Sequence, residues 1–231
     1  VAAALPARAC DLALVLAVDV SGSVDPREYQ VQIDGLAAAL RDPVVADALL
    51  EREAALSLLQ WTGSSRQAVS IPWQHIGSPG DLERFAARVG QTPRRWRNFS
   101  TAIGEALQLA QDSFAEVPDC RNRVIDVSGD GRSNEGVPPE SLRAGLVADG
   151  ITVNGLVITG SEEGLIAYFR ANVIAGPGAF VIAADGYADY PDRIRQKLRR
   201  ETARAISALP ICDHGPGECD HAARKAAALR P

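Results

Sequence analysis

Leu12-Ala-Leu-Val-Leu-Ala-Val-Asp19-Val-Ser21-Gly-Ser23 is an apolar run that stops abruptly at one carboxylate and two hydroxyls. The run reads as a buried strand, of the kind found in a parallel sheet covered on both faces. Its polar end brings three hard oxygen ligands to one point. Oxygens of that kind suit Mg²⁺, Mn²⁺ or Ca²⁺ rather than zinc or copper. A second run, Arg123-Val-Ile-Asp-Val-Ser-Gly-Asp130-Gly131, has the same form and again breaks at an aspartate. Two such strand ends begin a metal site.

Working outward, strand and helix patterns alternate along the chain. Strands are expected at 12–19, 53–61, 67–76, 122–130, 151–158 and 179–184. Helices are expected at about 25–41, 79–89, 101–114, 139–149, 162–172 and 190–208. The short link Thr62-Gly63-Ser64-Ser65 suits a hairpin, so one edge strand should run antiparallel. The fold class is α/β: a doubly wound, mostly parallel six-stranded sheet with one antiparallel edge strand and helices on both faces. In open sheets of this kind, ligands sit beyond the carboxyl ends of the strands where the strand order reverses. If the first and fourth strands are neighbours there, Asp19 and Asp130 face one crevice. Thr101, at the start of a helix, would add a third hydroxyl.

At 231 residues the chain can bury a full core. A net charge of −5 argues against nucleic acid as a partner, and no apolar stretch is long enough to span a bilayer. The chain contains no Met and an even number of cysteines, four. Both features fit a secreted or periplasmic protein that has lost a signal peptide. The expected organisation is an N-terminal extension at 1–9, one domain at 10–209 and a Cys/His-bearing tail at 210–231.

The order Asp19-x-Ser21-x-Ser23, Thr101, Asp130-Gly131 resembles the metal-ion-dependent adhesion site of von Willebrand factor A domains. The resemblance extends over about residues 10–208. Arg123–Arg132, Val153-Asn-Gly-Leu156 and Gly176-Pro-Gly-Ala-Phe180 resemble an exported bacterial branch of that family whose role is undefined. The resemblance implies that Ser21 and Ser23 bind the metal directly. It implies that Asp19 and Asp130 bind it directly or through water, and that Thr101 joins when a ligand is engaged. The implied cofactor is Mg²⁺, with Mn²⁺ or Ca²⁺ as substitutes, and the implied partner is a protein presenting Asp or Glu. Where relatives place glycines before the threonine, this chain has Asn98-Phe99-Ser100.

Arg94, Arg95, Trp96 and Arg97 should lie beside the metal. They read either as a contact patch for an acidic partner or as a solvated loop with its Trp tucked beneath. Cys10 and Cys120 precede the two Asp-bearing strands by similar intervals, which predicts a Cys10–Cys120 disulfide. In the tail, Cys212-Asp-His214 and Cys219-Asp-His221 admit a Cys212–Cys219 disulfide or, less simply, a zinc site. Arg193, Arg195, Lys197, Arg199 and Arg200 read as the solvated outer face of a helix whose inner face carries Ile194 and Leu198. Three functions compete. The first is a metal-dependent, adhesion-type protein-binding module. The second is a structural subunit of a larger exported assembly. The third is a metal-dependent hydrolase, disfavoured because no histidine motif or separate general base accompanies the carboxylates.

Overall fold

The computed structural model describes residues 10–203 except Asn98 and Ser161. The tail pairing Cys212–Cys219 therefore lies outside the described residues.

Strand β1 (Leu12–Asp19) is buried along its whole length. Its alternate side chains serve two cores. Leu12, Leu14, Leu16 and Val18 enter one, and Ala13, Val15 and Ala17 enter the other. That two-sided burial is why the sequence shows a continuous apolar run and not an alternating one. β1 pairs in parallel with β2 (Ala55–Trp61) on one side and with β4 (Asn122–Gly129) on the other. β2 continues into the antiparallel β3 (Gln67–His75). β4 is followed in parallel by β5 (Ile151–Thr159) and β6 (Val181–Asp185). The order β3-β2-β1-β4-β5-β6 reverses between β1 and β4. Asp19 and Asp130 stand at the carboxyl ends of those two strands.

Helices α1 (Pro26–Leu40), α2 (Pro43–Glu51) and α3 (Pro79–Gly90) pack on the first face. Helix α4 (Ile103–Ser113) and the short helices α5 (Arg143–Ala148) and α6 (Leu165–Tyr168) cover the second. α7 (Tyr190–Thr202) returns to the first face. Helix starts follow local chemistry. Asp25 forms a capping box with Glu28 ahead of Pro26, and Asp42 caps α2 ahead of Pro43. Ser78 caps α3.

Three elements differ from the sequence reading. α2 is an additional helix; it is one of few turns and buries only Val45 and Leu49. The segment expected as a helix at 139–149 is a 3₁₀ turn at Pro139–Ser141 followed by α5. The helix expected at 162–172 is α6 continued by a wider, π-helical turn at Phe169–Val173. Lys197 is a further correction. It is fully buried, whereas Arg195, Arg199 and Arg200 face outward as expected. The helical period places 197 beside Ile194 and Leu198, and two buried carboxylates receive its ammonium.

Cys10 and Cys120 form a disulfide that ties the entries to β1 and β4, at the opposite end of the sheet from Asp19 and Asp130. Gly176 has φ of +91°, and a Cβ there would lie 2.8 Å from the Ile151 carbonyl oxygen, so the Gly176-Pro-Gly178 turn requires glycine.

Candidate metal centre

The loop leaving β1 is held by its backbone before any side chain is considered. Val20 donates its N–H to Trp61 O (2.9 Å) and Gly22 donates to Phe99 O (2.8 Å). The carbonyls are also taken. Gln32, buried on α1, donates to Asp19 O, while Arg94 Nη2 donates to Val20 O (3.1 Å) and Ser21 O (2.8 Å). A guanidinium with several planar donors can bridge two carbonyls of one turn in this way.

On this frame four side chains converge. Asp19 Oδ1 accepts from the Ser21 N–H (2.6 Å), and the Ser21 and Ser23 hydroxyls lie 3.1 Å apart. Ser23 Oγ donates to Asp130 Oδ1 (2.5 Å) from 107 residues away in sequence. Asp19, Ser21 and Asp130 are buried, whereas Ser23 is exposed, so the cluster opens to solvent on the Ser23 side. Approach of the two strand ends depends on Gly129, where a Cβ would lie 3.1 Å from Asp19 Oδ2 and 3.4 Å from the Trp61 ring.

Thr101 is buried, and its Oγ1 lies against Gly131. Its backbone is bracketed by the loop after β4. The Thr101 N–H donates to Asn134 Oδ1 (2.9 Å), and the Asn134 N–H donates to Thr101 O (2.9 Å). α4 has no capping side chain of its own, since Ala102 precedes it. Ser133 supplies the cap from a distance, accepting from the Ile103 N–H (3.2 Å). The structure thus brings Asp19, Ser21, Ser23 and Asp130 together, with Thr101 beside Gly131, the neighbour of Asp130.

The electrostatics fit a dication. Asp19 Oδ2 is buried with no hydrogen-bond partner among the described residues. Burial first, and the charge of Asp130 second, push the Asp19 carboxyl up to about 7. Two carboxylates brought together out of water with one oxygen unmatched are costly unless a cation lies between them. The donor set is carboxylate and hydroxyl oxygen. Among the described residues no three His, Cys, Asp or Glu side chains cluster to make a denser site. A hard dication matches such a set.

Tyr187, from the β6–α7 connection, was not foreseen. Its hydroxyl donates to Asp130 Oδ2 (2.9 Å), and burial, then the charges of Asp130 and Asp19, drive its own pKa strongly upward. Asp130 is therefore gripped on both oxygens. No sequence signal links position 187 to 130. Ser133 and Asn134, by contrast, sit in the polar turn just past Asp130-Gly131 and were open to suspicion.

The basic segment divides. Arg94 is turned inward to the loop carbonyls, with its Nε buried and without a hydrogen-bond partner among the described residues. Arg95 and Arg97 are exposed. Trp96 is half-buried against the core, with the Arg95 guanidinium 5.2 Å from its ring centroid. Exposed Phe99 lies under the Arg66 guanidinium at 3.7 Å.

A family model described as "Protein of unknown function (DUF1194)" matches residues 9–206. No curated protein matches the chain. Among solved structures, proximal thread matrix protein 1 from the mussel byssus superposes with a TM-score of 0.64 at 17% identity, over 82% of this chain and 47% of that one. A further structure of the same protein has a zinc-occupied MIDAS motif. A von Willebrand factor type A protein from Catenulispora acidiphila gives 0.61 at 16% identity, over 83% of this chain and 43% of that one. The pilus adhesin SpaC from Lactobacillus rhamnosus GG gives 0.61 at 13%, over 85% and 30%. The chain spans about half the length of the first of these or less, and the likeness is one of fold.

Proposed function

The chain belongs to the DUF1194 family and has the von Willebrand factor A fold, and we propose that it is a metal-dependent protein-binding module. Asp19, Ser21, Ser23, Thr101 and Asp130 would hold Mg²⁺, Mn²⁺ or Ca²⁺. A bound dication supplies a Lewis-acidic position that accepts a carboxylate oxygen from outside the protein.

The observation that carries this reading is the convergence of the four side chains from two strand ends, with Asp19 Oδ2 buried and unmatched. The chain's own residues perform the remaining tasks. Ser21 and Ser23 would contribute neutral oxygens to a bound dication, so that it would remain receptive to an acidic group. Arg94 fixes the loop that carries them. Arg95 and Arg97, exposed on the segment that Arg94 anchors to this loop, would attract an Asp- or Glu-bearing partner, with Trp96 of the same segment packed against the core. Export to an oxidising compartment, where the Cys10–Cys120 bridge persists, completes the reading.

Binding is favoured over hydrolysis because His75, the one histidine among the described residues, pairs opposite Ala55 at the far end of the sheet. Among the described residues, no separate base is paired with the site to activate a water.

Titration calorimetry with MgCl₂ and MnCl₂, on wild type and Ser21→Ala, tests the site. Binding at one site that is lost in the variant is expected; no uptake by a folded wild type would end the proposal. Retention of partners from envelope extracts on immobilised protein, in Mg²⁺ and then in chelator, tests the function. Partners should elute with chelator and fail to bind an Arg95→Glu, Arg97→Glu double variant.

A further inference from the structure

Away from the metal site, a buried charged cluster lies between α7 and the middle of the sheet. Lys197 Nζ is 2.6 Å from Asp126 Oδ1 and 2.7 Å from Glu201 Oε1, and all three side chains are 3% exposed or less. Asp126 lies mid-strand in β4, between Leu16 of β1 and Asn154 of β5. Asn154 Nδ2 donates to Glu201 Oε1 (2.9 Å), and its Oδ1 accepts from the Phe180 N–H (3.1 Å). The Phe180 ring centroid is 6.0 Å from Nζ, and Tyr190, Ile194 and Leu198 of α7 are buried in the core. Asp126 Oδ2 and Glu201 Oε2 are both buried without a hydrogen-bond partner among the described residues.

Two carboxylates and one ammonium carry a large desolvation cost that one ion pair does not repay. The set also has the parts of a condensation. A nitrogen nucleophile is held in contact with a carboxyl oxygen of Asp126. A second carboxyl touches that nitrogen, and all three side chains are buried.

We propose that Lys197 and Asp126 condense to an intramolecular amide that bonds α7 to β4, with Glu201 as the proton carrier. The ammonium first passes a proton to the Asp126 oxygen it already contacts, leaving an amine and a carboxylic acid. Nζ then attacks Cγ, forming the N–C bond. Glu201 in its neutral form gives a proton to the departing hydroxyl and recovers one from the nitrogen. The Cγ–O bond breaks and one water leaves. No oxidation state changes, and Glu201 ends as it began. Burial, with the charge of Asp126 next, pushes Glu201 upward and so favours that neutral form. The fixed approach supplies the effective concentration that makes amide formation feasible, and the product leaves no charge on Lys197 or Asp126 in the core.

Intact-mass spectrometry of the full chain, denatured and unreduced, tests this directly. The expected mass is lower by one water than sequence and disulfides require. Digestion should give a branched peptide joining the segments around Asp126 and Lys197, with Lys197 closed to trypsin and to amine labelling. Asp126→Ala should restore the missing water. Glu201→Gln, with its fold checked by circular dichroism, should form the bond far more slowly. A wild-type chain of full mass whose Lys197 labels after unfolding overturns the proposal. So does a water loss mapped to another position. A Glu201→Gln variant as fully cross-linked as wild type removes Glu201 from the mechanism.

Discussion

At the scale of single residues, the site is a set of oxygens whose partners are mostly other side chains. Asp19 is the exception, with one oxygen matched and one not. Asp19→Asn removes the repulsion from Asp130 while keeping an acceptor for the Ser21 N–H. The metal-free protein should then be as stable as wild type or more so, and the stabilisation by Mg²⁺ should vanish; thermal melts with and without chelator check both. Tyr187→Phe leaves Asp130 with one donor fewer. Outer partners that orient a ligating group are worth about 10–100-fold in metal affinity, so calorimetry should find weaker Mg²⁺ binding of that order with an unchanged melting temperature in chelator. The ligand types were legible along the chain, because a strand that ends in Asp-x-Ser-x-Ser advertises them. Tyr187 and the inward turn of Arg94 were not, since each meets its partner only across loops far apart in sequence.

At the scale of elements, Asp42 joins two helices. It caps α2 through the N–H groups of Val44 and Val45, and it accepts a forked contact from Arg199 on α7. Loss of the cap costs about 1 kcal/mol, and an exposed ion pair adds about 0.2–1 kcal/mol, so Asp42→Ala should lower stability by about 1–2 kcal/mol in chemical denaturation. The Arg199 guanidinium holds the Asp42 carboxyl below the usual carboxylate range. A depressed value means that its contribution is present above the unfolded pKa of about 4 and is lost as pH falls through the folded one. The penalty for Asp42→Ala should therefore shrink in acid. Strong amphipathic helices such as α3 were plain from their period. α2 and the broken pieces around α5 and α6 were not, because short helices carry too few repeats of the period for it to stand out.

At the scale of the whole molecule, the disulfide closes a separation of 110 residues and links the entry points of the two central strands. Removing it, as Cys10→Ser with Cys120→Ser, should cost about 2–4 kcal/mol, seen as a lower melting temperature without change in the circular dichroism spectrum. A dication that binds only the folded chain should raise stability by about 2.7 kcal/mol at a hundredfold excess over its dissociation constant, which a melt in Mg²⁺ against chelator measures. The run Leu12–Asp19 and its counterpart at 123–131 contained the sheet's direction and the positions of its carboxylates, because hydrophobic period and strand-end chemistry are local properties of the chain. Which side chains those ends would meet was decided only by tertiary packing. Lys197 shows why: in sequence it is one basic residue among five, and only the buried carboxylates of Asp126 on β4 and Glu201 one turn along α7 let it turn inward, since a charge leaves water only where opposite charges already wait.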